Sequence, residues 1–109
     1  MITTVEPLDT LDIALVHVNL TELTEARVKD FSSEMQSTLD EYKNIILNLQ
    51  SLNYIDAIGI RSLLQLQQNI YKKNGRLHLT NVSVAVTTLF SFFDLNDFFS
   101  ILETSATEQ

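Results

Sequence analysis

The sequence contains no cysteine and no tryptophan, a single proline, two glycines and only seven basic residues among 109. Without cysteine there is no disulfide, no thiolate nucleophile and no zinc knuckle. Two glycines do not make a phosphate-cradling loop. Seven Lys and Arg stand against fourteen Asp and Glu, for a net charge of −7. That balance argues against the clustered basic surface that nucleic acid requires and against electrostatic attachment to an anionic membrane. No apolar run approaches the roughly 20 residues that span a bilayer. The N-terminus lacks the basic segment and apolar block of a signal peptide, so a cytoplasmic protein is expected. No serine sits in a nucleophile elbow and no carboxylates pair in an apolar setting. The two histidines, His17 and His78, lack the short spacing of a metal-binding pair and read as sheet-face residues. No catalysis, cofactor or metal is expected, which leaves another protein as the partner.

Hydrophobic residues make up 45% of the chain, enough for the core of one domain. Asp12 to Leu20 alternates, with Ala14, Val16 and Val18 on one side and Leu15, His17 and Asn19 on the other, the pattern of a strand with one face in the core. Val28, Phe31, Met35 and Leu39 recur at helical spacing after two candidate caps, Thr21 and Thr24. Ile45 to Leu49 reads as a central strand, and Ile2 to Val5 as a short edge strand closed off by Pro7. Ser83 is a natural cap for a helix reaching Phe93, with Phe90 and Phe92 supplying core contacts. A last strand is expected from Asp97 or Phe98 to Leu102, and residues 103–109 read as a disordered polar tail.

The most informative stretch lies between these elements. Tyr54-Ile55-Asp56-Ala57-Ile58-Gly59 leads from the central strand into a helix with Ile60, Leu63, Leu64, Ile70 and Tyr71 on one stripe. Lys72-Lys73-Asn74-Gly75 stops it, and Arg76 to Thr80 alternates as the next strand. Asp56 is placed to cap this helix, whose first turn offers unpaired N–H groups and the positive end of the dipole. The β-α-β unit and the elements after it resemble the STAS domain family, the fold of bacterial anti-sigma factor antagonists, over residues 12–102. The family signature is a strand, an Asp-Ser-Ser/Thr-Gly-type turn, a long helix ending in a basic residue and Gly, and a second strand. The resemblance implies an α/β fold in a single domain over residues 1–102, with a mixed sheet of four or five strands and helices mainly on one face. A closing helix usual in the family has no room after the last strand, which is expected to leave apolar surface uncovered.

The resemblance also implies a function and its residues. Anti-sigma factor antagonists bind an anti-sigma factor of the kinase type through this turn, and a hydroxyl residue between Asp and Gly is phosphorylated by that kinase. Here those two positions are Ala57 and Ile58, which have no oxygen to phosphorylate. Constitutive partner binding is the implication, through Asp56, Ala57, Ile58 and Gly59. Arg61 stands where the family often has a small residue; it projects beside the turn and reads either as a partner contact or as a solvated helix residue. Ile58 either stands exposed at the tip or folds into the core. Ser51 and Ser62 are the nearby alternative acceptors. The stretch Leu77 to Phe93 carries no Asp, Glu, Lys or Arg. It reads either as a deeply buried helix or as an apolar contact patch, with Phe93 meeting a partner or a second copy in a homodimer. The alternative function is a structural STAS subunit of a transporter or larger signalling complex.

Overall fold

In a computed structural model the residues described are 2–8 and 12–102; the tail expected at 103–109 lies outside them. The elements are β1 (Thr3–Pro7), β2 (Ile13–Val18), β3 (Glu22–Leu23), α1 (Glu25–Glu41), β4 (Asn44–Asn48), β5 (Tyr54–Ile55), α2 (Ala57–Lys72), β6 (Leu77–Thr80), α3 (Val84–Phe92) and β7 (Ser100–Leu102). Five strands form one mixed sheet in the order β1-β2-β4-β6-β7. The β1–β2 pairing is antiparallel and the other three are parallel. β3 and β5 form a separate two-stranded parallel pair.

Strand alternation decides the layers. Ala14, Val16, Val18, Ile45, Leu47, Leu77 and Leu79 are buried on the face covered by the helices, together with Phe31, Met35, Leu63 and Ile70. The other face carries Leu15, His17, Ile46, Asn48, His78 and Thr80, all half-buried. The two histidines sit in separate contacts there. His17 bridges Glu6 (3.1 Å) and Asn48 (3.0 Å), and His78 meets the Ser100 hydroxyl (2.7 Å). Pro7 does not end β1 early but is its last paired residue, opposite Ala14. Only an edge strand tolerates the missing N–H.

Side chains tie the layers across the chain. The Glu34 carboxylate on α1 accepts from the backbone N–H groups of Ile2 and Thr3 and from the Thr3 hydroxyl. Burial raises its pKa, but these hydrogen bonds outweigh burial and hold it below the ordinary carboxylate range. Lys73 Nζ donates to the Leu39 carbonyl near the end of α1, and Asn44 Oδ1 accepts from Arg76 N (2.8 Å).

Two aromatic assignments change. Tyr71, expected on the buried stripe of α2, is 66% exposed, while Leu66 takes the buried place. One residue beyond Ile70 is a rotation of about 100°, off the buried face. Phe92, expected in the core, is 81% exposed. It lies two residues, about 200°, from the buried Phe90.

Candidate functional site

α2 begins where the β3–β5 pair meets the N-terminus of α1. Asp56 has extended backbone angles, and its Oδ1 accepts from Gly59 N at 2.7 Å, closing the first turn of α2. Its Oδ2 accepts from Glu25 N at 3.1 Å, the first residue of α1. Thr24 occupies the N-cap position of α1 but makes no side-chain capping bond. One carboxylate therefore satisfies orphan N–H groups of two helices, and both positive helix ends point toward it.

Gly59 is buried in this turn. A Cβ there would overlap the Leu23 carbonyl and crowd Ile55, so only glycine allows α2 to pack this closely on β3. Leu23 and Ile55 face each other in register and are both fully buried. The turn is thus fixed from below by packing and from the side by Asp56.

What the turn presents outward is apolar. Ala57 is exposed, and Ile58 is 36% exposed at the tip. Arg61 is exposed one turn into the helix. The Ser62 hydroxyl donates to the Gly59 carbonyl at 2.7 Å and is half-buried, whereas Ser51 is exposed in the loop before β5. The structure brings Asp56, Ala57, Ile58, Gly59 and Arg61 together, as their adjacency in the chain dictates.

Phe93 lies elsewhere. It follows the last residue of α3, is 43% exposed and packs edge-on against Phe92 at 5.5 Å between ring centroids. α3 starts near the Asp56 turn and packs against β5, with Ser83 capping Val86 N and donating to the Leu52 carbonyl. Phe93 is about 14 Å along the helix from that start, at 1.5 Å per residue.

Sequence reasoning missed one exposed apolar residue beside the turn, Tyr54 on β5, although its alternation with buried Ile55 carried the signal. Val84, in the first turn of α3 and within the uncharged stretch singled out above, also faces solvent. Among the described residues no group of three or more His, Cys, Asp or Glu is placed to hold a metal, and no helix is long and apolar enough to cross a membrane.

A family profile described as the STAS domain matches residues 3–109. Among solved structures, a putative anti-sigma factor antagonist from Thermotoga maritima superposes with a TM-score of 0.79 at 18% identity, over 95% of this chain and 88% of its own. SpoIIAA, an anti-sigma factor antagonist in its unphosphorylated form, gives 0.74 at 20% identity, over 94% and 87%. The murine solute carrier 26 family member A9 anion transporter gives 0.69 at 18% identity, over 78% of this chain but 14% of the transporter. At these identities the superpositions establish the fold, and the profile spans nearly the whole sequence. With its mixed five-stranded sheet and the Asp56-capped helix following the second parallel strand, this chain belongs to the STAS domain family.

Proposed function

We propose that this chain is a non-catalytic regulatory module that binds a protein partner, an anti-sigma factor of the kinase type, in the bacterial cytoplasm. The observation that carries the reading is the apolar tip of α2: Ala57 and Ile58 are held outward on a turn that Asp56 and Gly59 make rigid. A preorganised apolar tip loses little conformational freedom on docking, and Arg61 beside it offers a planar donor for a partner carboxylate. Kinship with anti-sigma factor antagonists supports the choice of partner.

Because neither Ala57 nor Ile58 has a hydroxyl, the partner kinase does not switch the module off at this turn. A phosphate would bring a charge of about −2 to the interface, and here it has no attachment point. The engaged hydroxyl of Ser62 supports the same conclusion. Phe93 adds a second contact, at the far end of α3.

The test pairs binding with intact mass. Ile58→Asp and Arg61→Glu are each expected to weaken capture of the anti-sigma partner by about tenfold or more with native circular dichroism. Incubation with the kinase and ATP should leave the mass of the unmodified protein unchanged. Full binding by both variants, or a phosphate mapped to Ser51 or Ser62, overturns the reading. A second reading, a structural subunit of a transporter or larger complex, draws on the fold shared with the solute carrier 26 transporter. Co-purification with membrane components instead of an anti-sigma factor would favour it.

A further inference from the structure

The connection from α3 to β7 reads Phe92-Phe93-Asp94-Leu95-Asn96-Asp97-Phe98-Phe99, aromatic pairs on either side of two acids. Its shape is fixed. Asp94 takes a left-handed conformation (φ 58°), Leu95 N donates to the Phe90 carbonyl at 2.8 Å, and Asp94 N donates to the Ser91 carbonyl at 3.0 Å. These bonds form a Schellman closure of α3. Phe99 turns inward onto Phe90, 5.1 Å between ring centroids, and Leu95 packs against the core. Phe92, Phe93 and Phe98 are left outside, the last 57% exposed.

Asp94 and Asp97 are exposed among these rings, and neither carboxylate has a hydrogen-bond or ion-pair partner among the described residues. No Lys or Arg occurs from Leu77 to Leu102. Phe98 and Asp97 also line an open cleft of about 540 Å³, together with Tyr71 and Arg76. That arginine lies over the Tyr71 ring, 5.3 Å from its centroid, and donates to the Gly75 carbonyl.

We infer that this turn is a docking surface for a cationic amphipathic segment of a partner protein. Apolar side chains of that segment pack on Phe92, Phe93 and Phe98, and its Lys or Arg residues pair with Asp94 and Asp97. Exposed rings interleaved with unpaired carboxylates match such a segment in both apolar area and charge. A second copy of this chain fits less well. Self-association across a two-fold axis brings the same acids together, on molecules that each carry −7. The inference specifies the occupant of the Phe93 surface and does not depend on the Asp56 turn. That turn opens α2, whereas Phe98 lines a cleft with Tyr71, which is about 21 Å further along the helix at 1.5 Å per residue.

The probe is a fluorescent Leu/Lys peptide of about 18 residues, five helical turns, patterned to be amphipathic, with a Leu/Glu peptide of the same pattern beside it. Anisotropy should show binding of the Leu/Lys peptide alone. Phe92→Ser with Phe98→Ser should weaken it by about tenfold or more. Asp94→Asn with Asp97→Asn should weaken it severalfold and flatten its salt dependence. Ile58→Asp should change nothing, which separates this surface from the Asp56 turn. Asp30→Asn with Asp40→Asn, exposed positions on α1, removes the same charge elsewhere and should also change nothing. Equal loss from the α1 pair would reduce the effect to net charge and overturn the proposal. So would equal binding of the Leu/Glu peptide, or a dimer in sedimentation that Phe93→Glu dissolves.

Discussion

The start of α2 and the end of α3 both present apolar side chains to solvent, but they are built in opposite ways. At the start of α2 the carboxylate is used up: Asp56 accepts from Gly59 N and Glu25 N and holds two helices in place. At the end of α3 the carboxylates of Asp94 and Asp97 hold nothing among the described residues, and the backbone closes the helix by itself. The first region spends its carboxylate on shape and leaves a neutral apolar tip, with Arg61 beside it. The second keeps its charge available at the surface. A rigid neutral tip suits recognition by shape, and a charged aromatic turn suits recognition by charge and apolar area together.

Substitution can break this contrast. The largest effect belongs to Gly59→Ala, since the added methyl meets a backbone carbonyl that cannot move without separating α2 from β3. A loss of about 2–3 kcal/mol in chemical denaturation is expected. A loss below the error of the measurement would mean that the turn has slack. Next is Asp56→Ala, which uncaps both helices and should cost about 2 kcal/mol, one typical capping contribution for each. Asp56→Asn keeps one acceptor oxygen and should cost about half as much. If the two variants lose the same stability, only one of the two bonds matters. The smallest effect, and of opposite sign, is expected at the end of α3. Asp94→Gly relieves a left-handed residue whose carboxylate makes no bond within the fold among the described residues, and should raise stability by about 0.5 kcal/mol. A destabilisation there would show that the Asp94 side chain supports the fold, and the contrast would fail.

Much of the frame could be read from the sequence. The alternation of β2, the helical spacing in α1 and α2, and the caps Asp56 and Ser83 follow from local rules, and the structure shows them in those places. The β3–β5 pair could not be read, because two-residue strands have no period to detect. The same holds for the second bond of Asp56: its acceptor role toward Glu25 depends on how α1 and α2 converge. Thr24 looked like a cap because it has the right side chain at the right position, but a stronger acceptor from another element reaches the site. Tyr71 and Phe92 were misplaced for a simpler reason. Both follow buried residues closely, and hydrophobicity alone does not separate neighbours on a helix that differ by 100° or 200° of rotation.

Outside the β1–β2 edge and the His78–Ser100 contact, 22 residues apart, the side-chain hydrogen bonds that join elements share a nearly constant span. Thr3 to Glu34, Glu25 to Asp56, His17 to Asn48, Leu52 to Ser83 and Gln67 to Phe98 are each 31 residues apart. Asn44 to Arg76 is 32, Asn48 to Asn81 is 33, and Leu39 to Lys73 is 34. The entropy of closing a flexible loop grows only logarithmically with length, so a loop of 34 residues costs less than about 0.1 kcal/mol more to close than one of 31. None of these links is favoured to form first by chain length alone. Among these units, folding order is then left to the strength of the contacts, and a substitution that weakens one of them can move the folding nucleus to its neighbour at little entropic cost.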